Sequence, residues 1–205
     1  MGESGNRPGR WRLLVAGLVF YAVAGILSAA AARAFPRTFG FDAFPADARS
    51  WAVSILAGAA VAAILIIASW LLVFFSASGR RMASVLASAT KELSPAGALS
   101  LAVMAGISEE LVFRGALWSL VESMFGRWWA FGVTSVLFAA VHGLFRRGLV
   151  LWGVFALAGG LAAGGLYMMT GSLVAPVAMH VIVDAVNLPA LVMRGGAGRR
   201  QAQES

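Results

Sequence analysis

The sequence predicts an all-α, polytopic membrane protein that forms a single membrane domain over residues 1–205. Of the 205 residues, 60% are hydrophobic and 12% are charged, whereas a soluble domain carries roughly 25% charged residues. The mean hydropathy is +0.83. Apolar runs of about 20 residues, the length that a helix needs to cross a bilayer, recur along the chain and leave no room for a separate soluble domain.

Six apolar runs predict about six membrane spans, at residues 13–32, 51–75, 96–125, 128–145, 148–169 and 173–193. The first run follows a basic start, as in a cleaved signal peptide. Its length exceeds the usual hydrophobic region of about 7–15 residues, which favours a retained helix. Residues 82–93 place apolar side chains at helical spacing, so they predict a short interfacial helix or, as the alternative, a plain loop.

The basic residues predict the orientation of the bundle. The net charge is +7, and with six spans the clusters at 7–12, 80–91, 146–147 and 194–200 lie on the side of both termini. The positive-inside rule then places both termini in the cytoplasm. We expect flexible tails at residues 1–12 and 195–205. Because these charges sit in short loops, they indicate topology and not a nucleic-acid partner.

Two adjacent carboxylates, Glu109 and Glu110, lie in the middle of the apolar run 96–125. Charged groups inside a bilayer cost several kcal/mol unless they are paired or hydrated, so they usually mark a functional site. On a helix, Glu110 and Arg114 are four residues apart in the favourable order for an ion pair. Glu109 lies about 100° around the helix and has no local partner, which makes it the candidate functional acid.

Both histidines of the chain, His142 and His180, also lie in apolar runs. Phe138 and His142 share one helix face, as do His180 and Asp184, and Asn187 extends the second face by one turn. Such a polar stripe must face the bundle interior, because lipid cannot satisfy it.

Counted from the turn at Gly126, Glu109 and His142 reach a similar depth, so they are expected to share a water molecule. Counted from Arg146, however, His142 lies only about one turn deep. The helices therefore cannot all be straight and equally long.

These residue types allow hydrolysis without a serine or cysteine nucleophile, and the chain contains no cysteine. A carboxylate beside a histidine can deprotonate a water for attack on a carbonyl, and a second histidine with an acidic partner can donate to the oxyanion. No cofactor is required for this chemistry. As the alternative, Zn²⁺ could be held by two histidines and two acids, namely Glu109, His142, His180 and Asp184, although the spacing HExxH is missing.

Three motifs resemble the signature of the CPBP family, which comprises CAAX prenyl proteases and bacteriocin-processing (Abi) enzymes. They are Glu109-Glu110-x-x-x-Arg114-Gly115, Phe138-x-x-x-His142-Gly143 and His180-x-x-x-Asp184. The resemblance covers about residues 96–190, the expected catalytic core. It implies an intramembrane endopeptidase of the CAAX type.

The resemblance also implies a role for each motif residue. Glu109 would activate the water with His142, while His180 and Asp184 would bind the water or stabilise the oxyanion. The supporting residues would be Glu110, Arg114, Phe138 and Asn187. The third motif of the family often ends in Asn, where this chain has Asp184, so this position either donates a hydrogen bond or acts as a charged ligand. The family has been described as both metal-dependent and glutamate-type, and the missing metal-ligand spacing favours the glutamate type.

The expected substrate is a membrane-anchored or lipidated protein or peptide, cleaved in the lipid bilayer. The small, Ala-, Gly- and Arg-rich chain indicates a bacterial inner (plasma) membrane protein, and its oligomeric state stays open. Two other functions are compatible with buried charges. One is a non-catalytic scaffold or immunity-type membrane partner. The other is an ion-coupled transporter, which is expected to show inverted repeats, and the sequence has no clear internal repeat.

Overall fold

A computed structural model of the chain describes residues 17–26 and 44–204, with the single positions 15 and 28, and side chains as far as Arg194. Within these ranges every regular element is helical. The elements are α1 (Gly17–Ile26), α2 (Ala48–Phe75), α3 (Ala77–Thr90), α4 (Pro95–Glu110), a π-helical segment (Leu111–Leu117), α5 (Trp118–Phe125), α6 (Arg127–Val141), α7 (Val150–Thr170) and α8 (Val174–Glu204).

Four stretches are long and apolar enough to cross a membrane: Ala48–Phe75, Pro95–Phe125, Val150–Thr170 and Val174–Arg194. The predicted all-helical membrane class is thereby confirmed. α1 and α6 are shorter apolar helices, and the count of six spans and the cytoplasmic termini stay predictions. The tail at 1–12 and the outer parts of the first span lie outside the described residues. α8 continues as helix to Glu204, and the flexibility expected for 195–205 stays a prediction.

Side-chain caps set the starts of three helices. Asp47 accepts a hydrogen bond from the Ser50 amide at the start of α2. Ser76 caps α3 in the same way, and Ser94 caps α4, with Pro95 in its first turn. These residues satisfy amides that a helix start leaves unpaired. The helix predicted within residues 82–93 is therefore present as α3, and its position on a bilayer surface stays a prediction.

α8 lies at the centre of the bundle and packs against α2, α3, α4 and α7. Small residues allow these close approaches. An added Cβ on Gly58 would overlap the Ala175 carbonyl, and one on Gly106 would lie 2.8 Å from the Val181 backbone nitrogen. Membrane helices associate through such small-residue contacts because hydrocarbon provides no hydrophobic driving force between them. The contact at Gly106 brings the polar face of α8 against α4, which carries the two acids.

α6 ends earlier than the sequence predicted, at Val141 and not at Phe145. The Gly143 amide donates to Ala140 O, and the Leu144 amide donates to Ala139 O, which is the Schellman arrangement that terminates helices. Gly143 has φ +98°, a left-handed conformation that glycine adopts without strain. His142 therefore caps a helix that is shorter than the predicted span of 128–145.

Gly143→Ala is expected to destabilise the protein by about 1–3 kcal/mol, because a positive φ is strained for a residue that has a Cβ. The new Cβ would also lie 2.9 Å from Leu149 Cβ. The melting temperature in detergent measures this loss. Gly132→Ala is the matched control, since no heavy atom lies within 4 Å of its added Cβ and its φ is not positive. Equal melting temperatures for the two variants would contradict the role of Gly143.

Candidate active site

The two acids lie where α4 gives way to the π-helical segment. Glu110 ends α4, and Arg114 lies four residues on, inside the segment Leu111–Leu117. π-helical turns, with i→i+5 hydrogen bonds, are rare and are frequently found at functional sites. This irregular turn was not predicted from the sequence.

Glu110 and Arg114 form a fully buried ion pair, each 0% exposed. Arg114 Nη1 donates to Glu110 Oε1 at 3.1 Å and lies 3.0 Å from Oε2. Its Nη2 donates to the Gly160 carbonyl at 2.6 Å, and the guanidinium carbon lies 5.0 Å from the Phe138 ring centroid. The predicted pair is present, and it ties α4 to α6 and α7.

His180 connects this pair to the pocket. Its Nδ1 lies 2.8 Å from Glu110 Oε1, and its Nε2 lies 3.5 Å from Asp184 Oδ2. Because the ionised carboxylate of a buried ion pair only accepts hydrogen bonds, Nδ1 carries the proton. Nε2 is therefore the nitrogen that faces Asp184 and a substrate.

His142 is held in the same way from the other side. Its Nδ1 lies 2.8 Å from the Phe138 carbonyl, which can only accept, so Nδ1 carries the proton here too. Its Nε2 points to Glu109, 3.5 Å from Oε2. The Phe138 ring stacks on His142 at 4.3 Å and meets His180 edge-on at 5.6 Å. A single aromatic ring thus packs against both imidazoles.

A small pocket of about 60 Å³ lies between these groups, which is room for at least one water molecule. Its polar lining comes from Glu110, His142, His180 and Asp184. Glu109 does not line the pocket itself but lies against His142, which does. The charges of both histidines and Asp184 act on the Glu109 carboxylate. Glu109 Oε2 is buried and accepts no hydrogen bond among the described residues. Because a buried polar atom without a partner is costly, this oxygen is where a polar group would bind.

The structure brings four predicted catalytic residues together and leaves one supporting residue elsewhere. Glu109, His142, His180 and Asp184 converge from α4, the end of α6 and α8. Asn187 lies on the same face of α8 but contacts Ser69 and Trp70 of α2, outside this pocket.

Tyr21 on α1 is a site residue that the sequence did not reveal. Its hydroxyl is placed to donate to the Glu109 carboxylate. Gly17 and Gly25, one turn to either side, allow α1 to approach α4, since their added Cβ atoms would lie 2.9 Å from Leu101 and 3.5 Å from Ser108 Oγ. The available signal was the pair Gly17 and Gly25, which lie eight residues apart on the helix face of Tyr21, because small residues on one face of a membrane helix mark a contact.

The arrangement does not fit the zinc alternative. Within the part of the chain that the structure describes, no three or more His, Asp or Glu side chains are grouped as a metal site. The Nε2 atoms of the two histidines face different carboxylates, Glu109 and Asp184.

Comparison with known proteins gives a family match for the middle of the chain. No curated protein and no solved structure matches the chain. A family model described as type II CAAX prenyl endopeptidase Rce1-like matches residues 91–186, a segment that contains all four converging residues. The four apolar spans and this match together indicate an integral membrane protein. The resemblance predicted from the three motifs is confirmed: residues 91–186 match a CPBP family of intramembrane CAAX-type endopeptidases.

Proposed function

We propose that this protein is an intramembrane endopeptidase that hydrolyses a peptide bond of a membrane-associated or lipidated protein or peptide with a water activated by Glu109 and His142. One observation carries the proposal. Two histidines from different helices direct their Nε2 atoms towards neighbouring carboxylates at one pocket, while the Phe138 carbonyl and Glu110 hold their Nδ1 atoms. This arrangement fixes both rings before a substrate binds, which is the preorganisation that catalysis requires.

In the first step, the water lies on the pocket side of Glu109 Oε2 and His142 Nε2 and hydrogen-bonds to the carboxylate. Glu109 takes a proton from the water as its oxygen attacks the scissile carbonyl carbon. The carbonyl π electrons move to oxygen, which becomes an oxyanion. The unpaired state of Glu109 Oε2 supports this role, because the base needs an oxygen that no structural donor occupies.

In the second step, His180 and Asp184 act on the tetrahedral intermediate. A proton on His180 Nε2 donates to the oxyanion, and Asp184 together with Glu110 stabilises that charged imidazole. When the intermediate collapses, the carbon–nitrogen bond breaks and Glu109 returns its proton to the leaving amine. The products are a new carboxylate and a new amine. Glu110 and Arg114 shape the site without reacting.

We further propose that this chemistry takes place in a bacterial inner membrane. The bundle would have six spans with both termini in the cytoplasm. The basic loops support this orientation through the positive-inside rule.

The proposal is tested with the purified full chain in lipid nanodiscs and a set of membrane-anchored peptides. We expect two product masses that together exceed the substrate mass by one water, and these masses identify the cut site. Activity is expected to persist after chelator treatment, because no step uses a metal. Intact peptides across the set would contradict an endopeptidase, and loss of activity on chelation with recovery on adding Zn²⁺ would contradict the metal-free mechanism.

Tyr21→Phe is expected to lower kcat about tenfold and to leave KM unchanged. The variant removes one hydrogen bond to a charged group, worth about 1.5–3 kcal/mol, and keeps the aromatic ring. Tyr167→Phe is the control, since Tyr167 packs edge-on against Trp118 away from the pocket. A Tyr21→Phe enzyme with unchanged kcat would show that Tyr21 does not position Glu109.

A further inference from the structure

A second cavity, of about 240 Å³, lies between α2, α3, α7 and α8 at one end of the bundle. Trp70 and Val73 of its lining belong to the last two turns of α2, and Trp152 and Phe155 belong to the first two turns of α7. Arg194 ends the membrane span of α8. The ends of membrane spans lie where lipid headgroups meet acyl chains, and tryptophan is enriched there. The cavity therefore lies at the depth of a headgroup and the upper part of its chains.

The walls of this cavity are mostly apolar. Met82, Ala83 and Leu86 of α3 and Ala190 and Leu191 of α8 complete them. With 14 residues, α3 is too short to cross a bilayer, and it packs against α2, α7 and α8 at this end. Such walls suit an acyl chain, which is the apolar group that a bilayer supplies at this depth.

Asn187 presents a hydrogen-bond donor to the cavity. The Trp70 indole N–H donates to Asn187 Oδ1 at 3.1 Å. Because an indole can only donate, this contact assigns the oxygen of the amide and therefore its nitrogen. Among the described residues no group accepts from that nitrogen, and it is not a buried atom without a partner. It is left to donate to a bound molecule, and a glycerophospholipid carries a suitable acceptor, an ester carbonyl, at the top of each acyl chain.

Arg194 adds a positive charge to the same lining. Its side chain is exposed and forms no ion pair with the side chains that the structure describes. Arginine binds phosphate groups through its planar array of donors. Because Arg194 follows Asn187 by seven residues, the two lie on one helix face, about 10 Å apart along the axis. A glycerophospholipid carries its phosphate above its ester carbonyls, in the order of these two partners.

Four further arginines make this end of the bundle electropositive. Arg80 and Arg81 follow the end of α2, Arg146 and Arg147 precede the start of α7, and all four are exposed. Basic segments beside membrane spans attract anionic lipids, and basic pockets between membrane helices bind their headgroups. A zwitterionic lipid fits less well, because its own cation would lie among these arginines.

We propose that this cavity binds one anionic glycerophospholipid of the bilayer, with its phosphate on Arg194, an ester carbonyl on the Asn187 amide and one acyl chain against Trp152 and Phe155. The Trp152 ring lies edge-on to the His142 ring, with 6.1 Å between their centroids. The acyl chain thus packs against an aromatic side chain that neighbours the catalytic pocket. The inference does not depend on the proposed function, since the lipid is neither a substrate nor a product of hydrolysis.

The test uses native mass spectrometry of the purified, delipidated full chain with phosphatidylglycerol or phosphatidylcholine of identical acyl chains. One phosphatidylglycerol per chain is expected to bind, about tenfold tighter than phosphatidylcholine. Arg194→Gln should weaken phosphatidylglycerol binding about tenfold, which is close to the loss of a hydrogen bond to a charged group. Arg147→Gln, an equal change of charge at an exposed site outside the cavity, should leave the affinity nearly unchanged.

A second pair of variants tests the acyl-chain wall. Ala190→Phe fills the cavity without changing the charge and should weaken phosphatidylglycerol binding about fivefold or more. Val186→Phe is its control, because Val186 is 37% exposed on the same helix and lies outside the cavity. Glycerol 3-phosphate, which has the headgroup phosphate but no acyl chain, should not displace the lipid.

Unaltered lipid affinity in either Arg194→Gln or Ala190→Phe would overturn the inference, as would an equal loss in a variant and its control. Equal affinities for the two phospholipids, or displacement by glycerol 3-phosphate, would also overturn it. Glu109→Gln separates this result from the proposed function, because it should bind phosphatidylglycerol as the unmodified protein does while losing hydrolysis. If that variant keeps both, the proposed base is wrong and the lipid site stands.

Discussion

Replacing Glu109 by Gln is expected to slow peptide hydrolysis by about 10²–10⁴-fold, the usual contribution of a general base, without loss of the fold. The amide has the shape of the carboxylate but cannot accept a proton from water. It can still accept the Tyr21 hydrogen bond, so the contact between α1 and α4 is retained. Product formation in nanodiscs, followed by mass spectrometry, measures the rate, and the melting temperature reports on the fold.

Glu122→Gln is the matched control for this prediction. Glu122 accepts from the Trp118 indole and pairs with Arg127 near the end of α5, and it does not line the pocket, so hydrolysis should be nearly unchanged. His142→Ala should also lose activity. The double variant should be little slower than the single variants, because residues that act on one water behave as a unit. Undiminished cleavage by Glu109→Gln would exclude it as the base.

Arg114→Met is expected to lower the free energy of unfolding by about 3–5 kcal/mol, the usual effect of removing one member of a buried ion pair. The substitution leaves the Glu110 charge without its counter-ion in a site that is 0% exposed. It also removes the hydrogen bond to the Gly160 carbonyl, which links the π-helical segment to α7. Denaturant-induced unfolding in mixed micelles measures the change.

Combining Arg114→Met with Glu110→Gln should recover much of this stability. The neutral amide removes the uncompensated charge, and its oxygen still accepts from His180 Nδ1. Arg127→Met provides the control, because Arg127 pairs with Glu122 at an exposed site, where ion pairs contribute at most about 1 kcal/mol. A double variant no more stable than Arg114→Met would show that the charge is not what destabilises the single variant.

Helix geometry explains what could be predicted of the site. Positions four apart on a helix lie on one face whatever surrounds them, so the Glu110–Arg114 pair and the approach of His180 to Asp184 followed from spacing. The cost of charge in lipid then required these faces to meet inside the bundle. Their convergence on one pocket was predicted on this ground. Glu110, His142, His180 and Asp184 line that pocket, and Glu109 lies beside His142.

Asn187 shows where the same argument fails. It lies on the helix face of His180 and Asp184, as predicted, but it contacts Trp70 of α2 and lines a separate cavity of about 240 Å³ between α2, α3, α7 and α8. A shared face orients side chains without determining which neighbouring helix covers each turn. That choice depends on where α2 crosses α8, which Gly58 and Ala175 set through a contact between distant parts of the chain.

The sequence by itself determined the helical membrane class, the three motifs and the pairing of residues within each helix, because hydropathy and helical periodicity are local properties. Only the tertiary structure decided that a π-helical segment follows Glu110, that α6 ends at Val141 and that Tyr21 meets Glu109. It also decided that a mostly apolar cavity adjoins the pocket, since Trp152 and Phe155 line both spaces. Apart from the end of α6, which Gly143 sets locally, these features depend on contacts between helices far apart in the chain, which helical periodicity does not encode.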